Sequence, residues 1–150
     1  MVKPLDENPV ELLDHVGWRL WRISGQWKAR FEAGMRANGY PWFGEARSNV
    51  VGFIGRNGLR QKELVRRMGL SKQAVQQLVD ELVEEGIVER RPDPADLRGN
   101  IVIFTRAGRV MLRDANVVKL SIEDAYRRKI GDKEFHRLMD ILRDLDESSY

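Results

Sequence analysis

The chain has 150 residues, enough for one domain with a real core. Hydrophobic residues make up 42% and charged residues 33%, a balance that fits a folded, soluble domain and argues against disorder. There is no cysteine, which excludes disulfides, thiolate metal sites and thiol redox sensing and fits a reducing cytoplasm. The apolar runs are a few residues long, too short to cross a bilayer, and residues 1–9 lack the apolar stretch of a secretory leader. A cytoplasmic protein with no membrane partner is therefore expected.

In chain order, Asn8-Pro9-Val10-Glu11 reads as a helix start, with a cap, a proline at the first helical position and a glutamate placed to reach back. Leu13, Val16, Leu20, Trp27, Phe31 and Met35 trace an apolar stripe over 8–37, and Asn38-Gly39-Tyr40-Pro41 ends it. A second helix is expected over 43–54, weakened by Gly44 and Gly52. Arg56-Asn57-Gly58 is a turn. Residues 60–68 read as a helix with Leu64, Val65 and Met68 on one side. Gly69-Leu70 breaks the pattern. Ser71 caps a further helix, on which Val75, Leu78, Val79 and Leu82 share a face, and Gly86 stops it.

The β-branched runs 87–91 and 101–105 flank a loop rich in Pro, Asp, Gly and Asn, so they are expected to pair as a hairpin. Thr105 caps a long helix to about residue 130, Gly131-Asp132 interrupts it, and Phe135, Leu138, Leu142 and Leu145 mark a last one. Helix, tight turn, helix and hairpin in this order make a winged helix-turn-helix, whose chemistry is reading duplex DNA. The fold expected is mainly α with a small β-hairpin wing. It forms a single domain over 1–150, with a head over about 42–105 and long outer helices over about 8–37 and 106–150. A head of this size does not need those outer stripes to close its core, so a homodimer in which they interdigitate is expected.

Charge follows the same division. Of the net +3, residues 1–55 contribute +1, residues 56–113 contribute +4 and residues 114–150 contribute −2. From Arg56 to Gln73 the cations Arg56, Arg60, Lys62, Arg66, Arg67 and Lys72 face one acid, Glu63. Such a patch suits a phosphate backbone, and Arg60, Arg66 and Arg67 are its candidate phosphate contacts. With Val75, Leu78 and Val79 turned to the core, Lys72, Gln73, Gln76 and Gln77 project outward from the second helix of the pair. Glutamine can bind adenine bidentately, and lysine reaches guanine or phosphate. Ser71 caps that helix and is placed to touch a phosphate. Arg90 and Arg91 lead into the hairpin tip and Arg98 leaves it. An arginine at such a tip is sized for a narrow A·T minor groove. Asp96 can hold the loop or pair with arginine.

These residues resemble the multiple-antibiotic-resistance regulator (MarR) family of dimeric winged-helix transcription factors. The resemblance is carried by Leu64, Gly69-Leu70-Ser71-Lys72, Val75 through Leu82, Gly86-Ile87-Val88-Glu89-Arg90, Asp93 through Arg98, and Phe104-Thr105-Arg106-Ala107-Gly108. It implies that Arg98 is the minor-groove contact, Asp96 its positioning partner, and the first and last helices the dimer interface. It also implies a repressor on a palindromic operator, with half-sites roughly 34–36 Å apart. Release by a small phenolic or aromatic effector is the further implication. Trp18, Trp21, Tyr40, Trp42 and Phe43, with His15, Arg19 and Arg22, could hold a planar anion, and the same aromatics equally suit plain core packing.

No metal site or cofactor is expected: the histidines, His15 and His136, fall on different helices, and there is no thiol. No nucleophile elbow, phosphate-cradling glycine loop or zinc-protease motif points to an enzyme. The alternative function is a winged-helix module that docks a protein partner without reading DNA.

Overall fold

The computed structural model describes residues 11–148. Among these residues six helices and three short strands follow one another: α1 (Val16–Ala37), α2 (Ser48–Val51), β1 (Leu59–Arg60), α3 (Gln61–Met68), α4 (Lys72–Glu84), β2 (Val88–Asp93), β3 (Asp96–Phe104), α5 (Arg106–Ile130) and α6 (Asp132–Leu145). The mainly helical winged helix-turn-helix expected from the sequence is the fold observed.

The head closes around Leu64 of α3, Val75, Val79 and Leu82 of α4, and Val88, Val102 and Phe104 of the sheet, all buried. Between α3 and α4, Gly69 adopts a left-handed conformation (φ 64°), which glycine takes without steric cost. Ser71 then restarts the helix, its Oγ accepting from Ala74 N at 3.1 Å. Thr105 plays the same part for α5, accepting from Gly108 N at 3.0 Å while its hydroxyl donates to the Gly86 carbonyl. Gly108 has a packing reason: a Cβ there would sit 2.1 Å from the Ile87 carbonyl oxygen. The Thr-x-x-Gly spacing thus both caps α5 and lets it press on the entry to the wing.

Four local expectations need correction. The first helix starts at Val16. Residues 11–15 lie outside it, Glu11 takes no part in a cap, and Asn8 and Pro9 lie outside the described residues. The His15 ring supplies the cap, its Nδ1 accepting from Trp18 N at 3.3 Å. Leu12 and Leu13 are exposed, so an extra helical turn there has no face to bury and little to stabilise it.

The helix expected over 43–54 shrinks to α2 and flanking turns. Gly44 sits at φ 102°, and Arg36 Nη1 ties up the Phe43 carbonyl at 2.8 Å. Trp42 and Phe43 are driven into the core by these turns, 2% and 5% exposed.

The sheet has a third strand. β1 pairs with β3 (Leu59↔Val102, Arg60↔Ile101), giving the order β1-β3-β2, so Arg60 belongs to a strand and the helix begins at Gln61. Finally, the wing is longer than expected. β2 and β3 pair from Val88↔Phe104 out to Asp93↔Asp96, with a bulge at Pro92/Asp93. The stretch that reads as loop is mostly strand because β2 is an edge strand, where a proline costs little pairing.

Outside the head, α1 and α5 pack together through Met35, Met111, Ala115, Val118 and Ile122. The stripe expected along the first helix is therefore buried only in its second half. Val16, Leu20 and Trp21 near the start of α1, Val117 and Leu120 on α5, and Ile141 and Leu145 on α6 are exposed. No helix of the described residues is long and apolar enough to cross a membrane.

Candidate nucleic-acid interface

The amphipathic spacing of α4 fixes what it shows to solvent. Val75 and Val79 are fully buried, while Ser71, Lys72, Gln73, Gln76 and Gln77 are exposed along its first two turns. The front of the helix carries no acid in its first turn, and Asp80 is the first one encountered along it.

Across from this face stands the wing. Between the two lies a cleft of about 530 Å³, lined by Arg60, Gln61, Lys62, Lys72, Gln76, Arg90, Asp93, Asp96, Arg98 and Asn100, among others. Five of these side chains are cations and two are acids, so the cleft favours an anion.

The two acids hold parts of the cleft in place. Asp93 is 2% exposed; its Oδ2 lies 2.8 Å from Arg60 Nε, and its Oδ1 accepts from Ala95 N at 2.9 Å. One carboxylate therefore closes the wing turn and ties it to β1. Asp96 Oδ1 accepts from the backbone N–H of Arg98 at 3.1 Å, and its Oδ2 lies 3.8 Å from Lys62 Nζ. The partnership expected between Asp96 and Arg98 is thus made through the backbone. No side-chain ion pair or hydrogen bond forms at the Arg98 guanidinium among the described residues, and that guanidinium is exposed.

The remaining predicted contacts divide. Arg60 stands in β1 and is engaged by Asp93, which corrects its expected place on a helix among free phosphate contacts. Arg66 and Arg67 are exposed on α3 but both are held by Glu63, Arg67 Nε at 2.9 Å and Arg66 through two hydrogen bonds. The two guanidinium groups push the Glu63 carboxyl down to about 2, mainly by donating hydrogen bonds to it. Arg91 faces away from the cleft. It pairs with Glu89 at 2.6 Å and lines the reverse side of the wing with Arg56 and Arg109.

Residues 45–99, from the turn before α2 into β3, match the sequence model of the MarR family. Over these residues the head is similar to that of the MarR family. Apo MarR from E. coli superposes with a TM-score of 0.71 at 19% identity, over 89% of this chain and 98% of that one, and shows the shared fold. A MarR-family transcriptional regulator from a Rhodococcus species gives a TM-score of 0.67 at 25% identity, over 90% and 94% of the two chains. CouR from Rhodococcus jostii, bound to p-coumaroyl-CoA, gives 0.64 at 26% identity, over 91% and 95%. A comparison with curated protein sequences gives no match.

Within the MarR-like protomer the eight residues expected around an effector do not meet. His15, Trp18, Arg19, Trp21 and Arg22 lie on the exposed start of α1. There Trp18 stacks on Trp21 at 5.2 Å, Arg22 lies 5.6 Å from the Trp18 ring centre, and Arg19 pairs with Asp14. Tyr40, Trp42 and Phe43 lie past the other end of α1, roughly 20–30 Å away at the helical rise per residue. Trp42 and Phe43 stack at 4.6 Å inside the core, and the Tyr40 hydroxyl donates to Asp114 Oδ2 at 2.6 Å. For Trp42 and Phe43 core packing is what the structure shows.

The sequence pattern places Lys62 in the cationic patch and Arg90 at the wing without giving either a contact of its own, and it leaves Gln61 and Asn100 unmarked as members of the cleft. One signal could have found Arg90. Neighbouring strand residues face opposite ways, so of Arg90 and Arg91 one had to turn toward the helices.

Proposed function

We propose that the chain is a sequence-specific DNA-binding transcriptional regulator, a homodimeric repressor released by a small aromatic or phenolic ligand. Lys72, Gln73, Gln76 and Gln77 read the major groove, Arg98 enters the minor groove, and Ser71, Arg66, Arg67 and Lys62 serve phosphates. The observation that carries this reading is the pairing of an acid-free helix front with an unengaged wing arginine across one cationic cleft. A groove-reading helix and an adjacent minor-groove finger are the two parts such a head needs.

The exposed apolar residues of α1, α5 and α6 support a second copy as the partner, with the dimer presenting two heads to a palindrome. Exposed large side chains clustered on three helices suit an obligate interface better than water. The effector reading is supported by CouR, which binds a CoA-linked phenolic compound, and by the cationic tryptophan stack of Trp18, Trp21 and Arg22.

Selection of bound fragments from genomic DNA tests the reading. Enriched fragments sharing an inverted repeat, with half-sites about one helical turn apart, are expected. Recovery of fragments with no common sequence, or of none, would overturn it in favour of a protein-docking head.

A further inference from the structure

We propose that Arg90 is the positioning residue that fixes the recognition helix against the wing, and that DNA discrimination depends on it although it touches no DNA. This rests on the reading of the chain as a DNA-reading regulator. Arg90 is three-quarters buried on β2 and joins three elements. Its Nε donates to Gln61 Oε1 of α3 at 2.9 Å, its Nη2 to the Gln76 carbonyl of α4 at 3.3 Å, and its Nη1 lies 2.6 Å from Asp80 Oδ1, one turn further along α4.

The consequences follow from donor geometry. The guanidinium is a rigid fork with five N–H donors, and three of them, one on each nitrogen, are engaged by protein acceptors that set its place before any phosphate arrives. It holds α4 at the backbone of Gln76, a residue assigned to base reading, and at the carboxylate one turn on. It also fixes the side chain of Gln61. An Nε–H can only be met by the Gln61 oxygen, so the Gln61 amide NH2 is turned away from Arg90 and is free to donate at the rim of the cleft. A base contact loses its value when the helix that carries it is displaced by a fraction of an ångström, whereas a phosphate contact tolerates it. Arg90 therefore acts on the difference between right and wrong sequences.

The test compares wild type, R90M, R90K and D80N on a selected duplex and on a shuffled one, at several salt concentrations. Amide hydrogen exchange of α4 and α5 is measured on the same proteins. R90M is expected to lower the selected-to-shuffled affinity ratio by about tenfold or more, while the salt slope on shuffled DNA stays unchanged. R90K, a point charge that cannot bridge three acceptors, fails to restore the ratio. D80N, altered at a half-exposed carboxylate, moves the ratio the same way and keeps the conclusion testable if R90M does not fold. Exchange speeds up in the first turns of α4 and not in α5. A drop of about one in salt slope with the ratio intact would mark Arg90 as a phosphate contact and overturn the proposal. An unchanged ratio in R90M, or in D80N where R90M is unfolded, also overturns it. A wild-type protein without sequence preference overturns the regulator reading and the proposal together.

Discussion

Asp93 and Arg60 meet at 2.8 Å, the carboxylate 2% exposed and the guanidinium side chain 48% exposed. The pair is lopsided: the acid has left water and the base has not. Removing Arg60 would strand a buried charge, whereas removing Asp93 lets Arg60 hydrate. Asp93 also accepts from Ala95 N, so it has a second duty that an amide oxygen could take over. Asp93→Ala is expected to destabilise the fold by about 1–3 kcal/mol. Asp93→Asn keeps the turn acceptor and should cost less. Urea unfolding of both variants checks this, and equal costs would show that the turn acceptor contributes nothing.

Arg98 has the opposite character, since it is exposed and its side chain is unengaged. Arg98→Ala should leave the urea midpoint unchanged and weaken binding to a selected duplex by about tenfold, most where the wing meets A·T pairs. Anisotropy titrations on duplexes with A·T or G·C flanks measure it. An unaltered affinity on both would remove the wing from the interface.

Glu63 holds two of the cations expected at the phosphates. Its folded carboxyl titrates near 2, below the ordinary value of about 4.3 for an unfolded glutamate. A depressed acid contributes stability above its unfolded value and loses it as pH falls through the folded one. The contribution of this cluster should therefore be complete at pH 6 and decline between about pH 4.3 and pH 2. Glu63→Gln frees Arg66 and Arg67 and should steepen the salt dependence of non-specific DNA binding while flattening that acid limb of the stability curve. A salt slope and an acid limb like those of wild type would show that Glu63 restrains neither arginine.

On α6 only Phe135 is buried, against Arg127, whose guanidinium carbon lies 4.3 Å from the ring centre. Ile141 and Leu145 face water in the single protomer. Sedimentation should give twice the mass of the 17.4 kDa chain, and Ile141→Glu should shift it toward the single-chain value. A wild-type protein that sediments as one chain would leave these side chains without a partner.

What could be read from the sequence follows the physics of each element. α4 was legible because burial at a 3.6-residue period leaves Lys72, Gln73, Gln76 and Gln77 no side but the outer one. Thr105 and Gly108 were legible as a cap and its spacing. The two-residue strand Leu59–Arg60 was not, because its pairing depends on β3 some forty residues later and leaves no local pattern. The wing was misjudged because Pro92, Asp93 and Asn100 are turn formers by local preference, and their strand pairing is imposed by the register set at Val88↔Phe104. The outward-facing row of α4 was legible from helical spacing, and the exposed place of Arg98 from its position at the wing tip. The engagement of Arg60 by Asp93 and the bracing by Arg90 were hidden, since each joins residues on different elements that no local pattern relates. The aromatic set is divided within the protomer because the length of α1 separates its two halves.

Sequence-specific reading by this head is tested by an anisotropy titration of the intact protein on a duplex carrying a selected site and on its shuffled counterpart, from about 50 to 200 mM salt. The selected duplex is expected to bind at least about a thousandfold more tightly, with affinity for both falling steeply as salt rises. Equal affinity for the two duplexes, or affinity indifferent to salt, would contradict it.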